Sequence, residues 1–410
     1  MRIPLLLLVM SLVATVVLAD VCPACKGTGR VGCGRCFWPF IGKCNTCSGL
    51  YATRAPGPGC PSCRGSGICP GCNGQGMTCL ACNGTGRLPA GTLAKRAAEQ
   101  RQQNLEAIRH ALQPLAFMDG GTWALRHTKG TDIVTGTYSV RSCLEGTWLL
   151  FQEASRYPDG RADDCLIALT YEPDAKGYFM LEFAGSGQAV VLRGPAGGDG
   201  RTLALAVVGQ ESLRLVWKIL PGTGLDMSIE QQSSGGWNRL SESRVRQGAA
   251  SPPAGSGVPP AAAGAVKSGL RAAAFLAGQW ETQGQENNVA VTGEISVEPL
   301  FGGTWYRMTE SSHYADGRTL EGEVFLTWVP DLQQYRLIVL TVPGQSTDLR
   351  GRSVDGGRGI DFRPVDQEDA FRLLWQFRPQ EGLDVRAEMA GEQGWTPYAV
   401  SSVRRGGQNH

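Results

Sequence analysis

The stretch Val134–Trp148, VTGTYSVRSCLEGTW, returns at Val291–Trp305 as VTGEISVEPLFGGTW. To either side, PLAFMDGGTW at 114–123 matches AAAFLAGQW at 272–280, and RYPDGR at 156–161 matches HYADGR at 313–318. Further on, LRLVWKILPGTGLDM at 213–227 matches FRLLWQFRPQEGLDV at 371–385. Four tryptophan pairs hold the register: Trp123/Trp280, Trp148/Trp305, Trp217/Trp375 and Trp237/Trp395, at offsets of 157, 157, 158 and 158. With only 10 tryptophans in 410 residues, that regularity is an internal duplication and not coincidence. Within each copy, short runs rich in Val, Leu, Trp, Tyr and Phe alternate with glycine turns. Asp159-Gly160 and Asp316-Gly317 are the clearest hairpin signals. The pattern predicts a mainly β chain, with an antiparallel barrel or sandwich over 114–247 and another over 271–406. Residues 91–113 read as a connector helix, because Leu93, Ala97, Leu105, Ile108 and Leu112 fall on one stripe. Residues 248–270, rich in Ala, Pro, Gly and Ser, read as a linker.

The early F-x-x-G-x-W, the G-G-T-W strand, the D-G turn and the late G-W strand resemble bacterial barrel proteins of calycin, or lipocalin-like, type. The resemblance implies two tandem closed antiparallel barrels. It also implies that their interiors take a small apolar ligand. Glu153, Ser155 and Tyr157 match Glu310, Ser312 and Tyr314, and alternate positions put each trio on one strand face. Such a face lines a ligand cavity or is solvated beside the hairpin turn, and the solvated face is the expectation. The paired Arg161/Arg318 and Arg214/Arg372 either form ion pairs with those glutamates or, with the other duplicated polar residues, hold the barrel mouth together.

The N-terminal part is different in kind. Residues 20–90 hold twelve of the 14 cysteines, as six CxxC pairs. These are Cys22 with Cys25, Cys33 with Cys36, Cys44 with Cys47, Cys60 with Cys63, Cys69 with Cys72, and Cys79 with Cys82. Four of them continue as CxxCxGxG. The pair Cys33 and Cys36 lacks both glycines, and the pair Cys44 and Cys47 has Tyr51 where the second should stand. Two CxxC knuckles close one tetrahedral all-thiolate zinc site, so six predict about three zinc ions. The charges agree. Seven Lys or Arg against Asp20 give +6 over residues 20–88, and three Zn(Cys)₄ centres carry 3 × (2 − 4) = −6. The basic residues therefore need no nucleic-acid partner. An exported cysteine-dense segment ordinarily reads as a disulfide framework, but the flanking glycines serve a metal knuckle and are unnecessary for a disulfide. Tandem CxxCxGxG resembles the cysteine-rich domain of DnaJ-type chaperones. That resemblance implies binding of non-native polypeptide, and a nested order of knuckles: first with sixth, second with fifth, third with fourth. The His-Pro-Asp tripeptide of a J-domain is absent from the chain. Phe37, Trp38 and Phe40 lie between knuckles, either packed or exposed as the grip for an apolar peptide client.

Residues 1–19 carry Arg2, an apolar core from Pro4 to Leu18 and a small-residue end at Ala19. They read as a cleaved signal peptide, which predicts a periplasmic or secreted protein without a lasting membrane span. His110, His127 and His313 are scattered, and no hydrolase, P-loop or dinucleotide motif stands in a fitting context, so no enzyme is expected. The rival enzyme reading is a thiol–disulfide oxidoreductase using the pair Cys33 and Cys36 or the pair Cys44 and Cys47. Cys143 and Cys165 have no counterparts in the second copy and are read as one disulfide in preference to two free thiols.

Overall fold

The computed structural model describes residues 92–129, 132–195, 197–248, 260–286, 288–365, 370–378, 382–391 and 394–405, with two short strands nearer the N-terminus. Those two, β1 (Arg30–Val31) and β2 (Met77–Thr78), pair antiparallel with Arg30 opposite Thr78. The expected signal segment lies outside the described residues. So do all twelve cysteines read as zinc ligands: Cys22, Cys25, Cys33, Cys36, Cys44, Cys47, Cys60, Cys63, Cys69, Cys72, Cys79 and Cys82. The expected client grip of Phe37, Trp38 and Phe40 also falls outside them.

Each repeat is a closed antiparallel barrel of ten strands, which decides between barrel and sandwich. Barrel 1 comprises β3 (Thr122–Lys129), β4 (Asp132–Cys143), β5 (Trp148–Arg156), β6 (Ala162–Glu172), β7 (Gly177–Ala184), β8 (Ala189–Pro195), β9 (Thr202–Val207), β10 (Gln210–Leu220), β11 (Gly224–Ser233) and β12 (Gly236–Gln247). Every strand pairs with the next, and β12 closes on β3. Barrel 2 repeats this order with β13 (Gly278–Glu286), β14 (Val289–Leu300), β15 (Trp305–Tyr314), β16 (Thr319–Val329), β17 (Gln334–Thr341), β18 (Gln345–Val354), β19 (Gly359–Pro364), β20 (Phe371–Arg378), β21 (Gly382–Gly391) and β22 (Gly394–Arg405). Here β22 closes on β13. Closure leaves no unpaired edge in either described sheet.

A helix plugs each barrel. Helix α1 (Thr92–Leu112) and the 3-10 turn Gln113–Met118 send Ile108, Leu112, Leu115 and Met118 into the interior core of barrel 1. Helix α2 (Pro260–Gly269) and the turn Leu270–Leu276 do the same in barrel 2 with Val266, Leu270, Ala273 and Leu276. Each residue of the second set follows its counterpart by 158 (266 − 108, 270 − 112). The helix therefore belongs to the repeat, and part of the stretch expected as linker is α2. Tyr178 donates to the Ala111 carbonyl (2.7 Å) and Tyr335 to the Gly269 carbonyl (3.1 Å), fastening each helix at the equivalent place.

One difference between the plugs is compensated. A Cβ on Gly269 would lie 2.1 Å from the Trp328 ring. Barrel 1 has Ala111 at the helix position and the smaller Tyr171 at the ring position. Gly269→Ala is expected to destabilise by about 1–3 kcal/mol through overpacking. Adding Trp328→Tyr should restore most of that loss. Thermal melts of the single and double variants check this.

The barrels also pack on each other. Strands β5–β7 face inward with Leu149, Phe151, Ile167, Leu169, Tyr178 and Met180. Their outward residues Trp148, Leu150, Leu166, Ala168, Phe179, Leu181 and Phe183 share one core with Phe301, Trp305, Phe325, Ile338 and Leu340. Burial on both faces explains why WLLF at 148–151 and YFML at 178–181 are continuous apolar runs rather than alternating ones. The contact has pseudo-twofold symmetry. Trp148 Nε1 donates to the Thr341 carbonyl (3.0 Å), and Trp305 Nε1 donates to the Ala184 carbonyl (2.9 Å). Adding 157 converts 148 to 305 and 184 to 341. Turns touch helices reciprocally: a Cβ on Gly187 would lie 3.1 Å from Val266, and one on Gly344 2.8 Å from Ile108. Both glycines hold positive φ, +88° and +67°, so a side chain is disfavoured there twice over. Glu323 breaks the symmetry. It accepts from Arg307 (2.7 and 2.9 Å) within barrel 2 and from Arg141 (2.6 Å) of barrel 1.

Candidate functional site

Along β5 the inward positions run Leu149, Phe151, Glu153, Ser155. The first two join the apolar core and the last two do not. The same change occurs on β15 at Met308, Glu310, Ser312. Barrel interiors are ordinarily filled by apolar side chains, so a carboxylate at the equivalent inward position of both, half-buried in Glu153 and buried in Glu310, is the feature to explain. The solvated-face expectation fails. Ser155, Glu310 and Ser312 are buried, because they alternate with core residues on a closed wall.

In barrel 1, Glu153 accepts hydrogen bonds from Tyr138 (2.5 Å) and Ser155, and the Cys165 thiol lies 3.6 Å from its Oε2. Burial pushes the Glu153 carboxyl upward, against the pull of those donors. Burial also raises Tyr138 and Cys165, and the Glu153 charge pushes each further up. Glu182 points into the same interior from β7, two residues beyond Met180. Burial first, then the Glu153 and Asp163 charges, push it up to about 7. A carboxyl raised on folding binds its proton more tightly in the folded chain. Its stabilisation is full below about pH 4.5, the ordinary value, and is lost as the pH rises to about 7. Stability is expected to fall by up to about 3 kcal/mol across that window, and Glu182→Gln should flatten the fall. Urea unfolding at pH 4.5 and pH 7.5 checks both.

In barrel 2, Ser312 donates to Glu310 at 2.7 Å. A second carboxylate, Glu286, accepts from Tyr314 (2.5 Å) and Tyr398 (3.4 Å). Tyr314 is buried, whereas its counterpart Tyr157 is half-buried with its hydroxyl 3.5 Å from Asp163. Glutamate and serine are thus brought together in both copies, and the tyrosine reaches a buried glutamate only in the second. Thr282 and Ser401 are buried on the inward face of β13 and β22, and their hydroxyls have no hydrogen-bond partner among the described residues. The equivalent Trp217 and Trp375 are fully buried in the apolar interiors, and neither indole nitrogen has an acceptor there.

The arginines take other partners than expected. Arg161 pairs with Asp159 (2.6 Å) and Arg318 with Asp316 (2.8 Å) inside their own turns. Arg214 pairs with Glu230 (2.7 Å) and Arg372 with Glu388 (2.6 Å) on the adjoining strand. Their outward register keeps them from the inward Glu153 and Glu310. Cys143 and Cys165 are free thiols, not a disulfide. Cys143 ends β4 opposite Trp148, while Cys165 lies on β6 opposite Glu153. His110 and His313 are exposed, and His127 Nδ1 lies 2.6 Å from Ser243 Oγ.

Among the described residues no group of three His, Cys, Asp or Glu is placed to hold a metal, and no helix is long and apolar enough to cross a membrane. Two described hollows open on the outside of the barrels. One of about 590 Å³ lies over β13–β15 and β22, and one of about 470 Å³ lies beside Phe117 and Pro221. A closed barrel is compatible with a small apolar ligand.

No family model matches the chain, and no curated protein does. Among solved structures, it is similar to a protein of unknown function of the DUF3598 family from Nostoc punctiforme (10% identity, 71% of this chain and 98% of that one, TM-score 0.19). Kievitone hydratase from Nectria haematococca matches at 9% identity over 70% of this chain and 89% of that one, TM-score 0.15. A porin-like protein from Bacteroides uniformis matches at 7% identity over 69% and 94%, TM-score 0.15. At these TM-scores the likenesses carry no functional inference. The fold itself, two ten-stranded antiparallel barrels, fits the calycin-like type, with more strands than the eight of a lipocalin.

Proposed function

We propose that the chain is an exported, non-enzymatic binding protein in which a pair of fused barrels carries a cysteine-rich head. The barrels take a small ligand with an apolar body and a hydrogen-bond-donating head group. The observation that carries this reading is the glutamate–serine pair set at the same inward position of both barrels, Glu153/Ser155 and Glu310/Ser312. A buried carboxylate is tolerated when donors or a cation satisfy it, so the wall favours a ligand that brings a donor. Native mass spectrometry of the mildly purified full chain tests this. A bound small molecule is expected, and it should be lost in Glu153→Gln/Glu310→Gln. Its absence, together with no thermal shift from medium-chain alkylamines, would overturn the reading.

In this reading the head binds zinc through its twelve cysteines and contacts protein or peptide clients through Phe37, Trp38 and Phe40. An all-thiolate donor set suits tetrahedral zinc and no hard cation. The β1–β2 ladder supports the nested order, since Arg30–Val31 follows the first knuckle, Cys22 with Cys25, and Met77–Thr78 directly precedes the sixth, Cys79 with Cys82. Replacing Phe37 and Trp38 with serine should weaken capture of a denatured client without loss of zinc. Unchanged capture would remove the client-binding role.

A further inference from the structure

We infer that barrel 2 contains a binding site for a small nitrogen heterocycle of imidazole size, bounded by Gly284, Ser401 and Thr282, where barrel 1 carries the side chain of His127. The duplication makes each barrel the comparison for the other. On the β3–β12 ladder His127 faces Ser243, and their Nδ1 and Oγ lie 2.6 Å apart. The equivalent residues of barrel 2 are Gly284 (127 + 157) and Ser401 (243 + 158), which face each other on the β13–β22 ladder. The serine is retained and its imidazole partner is replaced by hydrogen.

The consequence is visible in the hydrogen bonding. Ser401 is 1% exposed, and its Oγ has no partner among the described residues. Thr282, the inward residue before Gly284 on β13, is 3% exposed, and its Oγ1 has none there either. Barrel 1 has Leu125 at that position. At these two positions barrel 2 has a hydrogen in place of the ring and a hydroxyl in place of the Leu125 side chain, leaving two buried hydroxyls unsatisfied among the described residues on adjoining strands. Buried polar groups are nearly always paired, so two exceptions side by side point to a bound group that pairs them.

The surroundings suit a flat ring with N–H and lone-pair nitrogens. Thr282 faces Gly293 on β14, which presents no side chain. Gly293 in turn faces Ser312 on β15, and Ser312 donates to Glu310, so a buried carboxyl group borders the same section of wall. Its acceptor oxygens favour a ring that donates a hydrogen bond. The neighbouring hydroxyls of Tyr314 and Tyr398 are already engaged by Glu286.

This site rests on the reading of the barrel interiors as ligand sites but not on Glu153, so the two can fail separately. Imidazole itself is the probe. Titrated into the full chain at pH 8 and followed by calorimetry, it is expected to fill one site per chain. Ser401→Ala should weaken it at least tenfold, and Thr282→Val should weaken it less. Gly284→His, which supplies its own ring to Ser401, should abolish binding and melt no lower than the parent chain. Trp237→Ala, which lies outside both interior cores, should leave the titration unchanged. Failure of imidazole to saturate the chain overturns the inference, as does equal binding by Gly284→His or by Ser401→Ala. A crystal soaked in imidazole that shows only an ordered water between Ser401 and Thr282 also overturns it.

Discussion

Replacing Trp305 with alanine is expected to destabilise the chain by about 3–5 kcal/mol and to split its unfolding into two transitions. Trp305 is fully buried between the barrels, against Phe183 at a ring separation of 5.2 Å, and donates to the Ala184 carbonyl of the other barrel. Alanine would remove that ring from a packed core and leave the carbonyl with the Gly187 amide as its donor, one hydrogen bond fewer across the contact. Trp148→Ala should act alike, because it stands at the symmetry-equivalent place and donates to Thr341. Each barrel has its own interior core. Loosening the shared outer core should therefore separate their melting rather than abolish it. Trp237 is the control: it lies outside this core beneath Arg214, at 3.9 Å, and Trp237→Ala should lose about 1 kcal/mol or less. Scanning calorimetry reads the result. A single, unshifted transition in Trp305→Ala would mean that the barrels are not energetically coupled through this face.

The duplication and the mainly β class were legible because four tryptophans and two Asp-Gly turns repeat at one spacing. Three of those tryptophans prove to be buried in cores, which ties their spacing to the fold. The plug helix reads as a connector in one copy and hides in a linker in the other. The cause is composition: Val266, Leu270, Ala273 and Leu276 keep the helical stripe, but Ala, Gly and Pro around them read as flexible chain. An offset of 158 from Ile108, Leu112, Leu115 and Met118 was the available signal. The contact between the barrels was hidden for a different reason. A strand buried on both faces loses its alternation, and such a run says only that it is covered, not by what.

Of the interior site, Glu153/Ser155 and Glu310/Ser312 were found by their period of two and their duplication. Their inward direction was not, since alternation names two faces without saying which is inside. Tyr138 and Glu182 escape the sequence, and Cys165 reads only as a disulfide partner, because they come from β4, β7 and β6 and gather about Glu153 only when those strands pair. Thr282 and Ser401 carry no motif; their interest lies in partners they lack among the described residues. The expected arginine pairs failed on register, since a strand's outward residues reach neighbours on the same face.

A still larger effect is expected in the head. Treatment of the mature chain with a strong chelator should release about three zinc ions, make twelve thiols titratable and leave the melting of the barrels unchanged. Structural zinc contributes on the order of 10–16 kcal/mol per site in zinc-finger peptides. Residues 20–88 offer few apolar side chains beyond Phe37, Trp38 and Phe40, so in the proposed reading metal supplies most of their folding free energy. The nested order then makes a sharper claim. Replacing Cys22 and Cys25 with serine should reduce the zinc content from three to two. Replacing Cys79 and Cys82 as well should leave it at two, since both knuckles serve one ion. Replacing Cys69 and Cys72 instead, on top of the first pair, should leave one. If the first and sixth knuckles together remove two ions, the pairing is sequential and the β1–β2 ladder does not mark a shared site. If the purified chain holds little zinc and its CxxC pairs are oxidised, thiol–disulfide chemistry or a disulfide scaffold replaces the metal, because a dithiol closed on itself has no thiolate left to ligate.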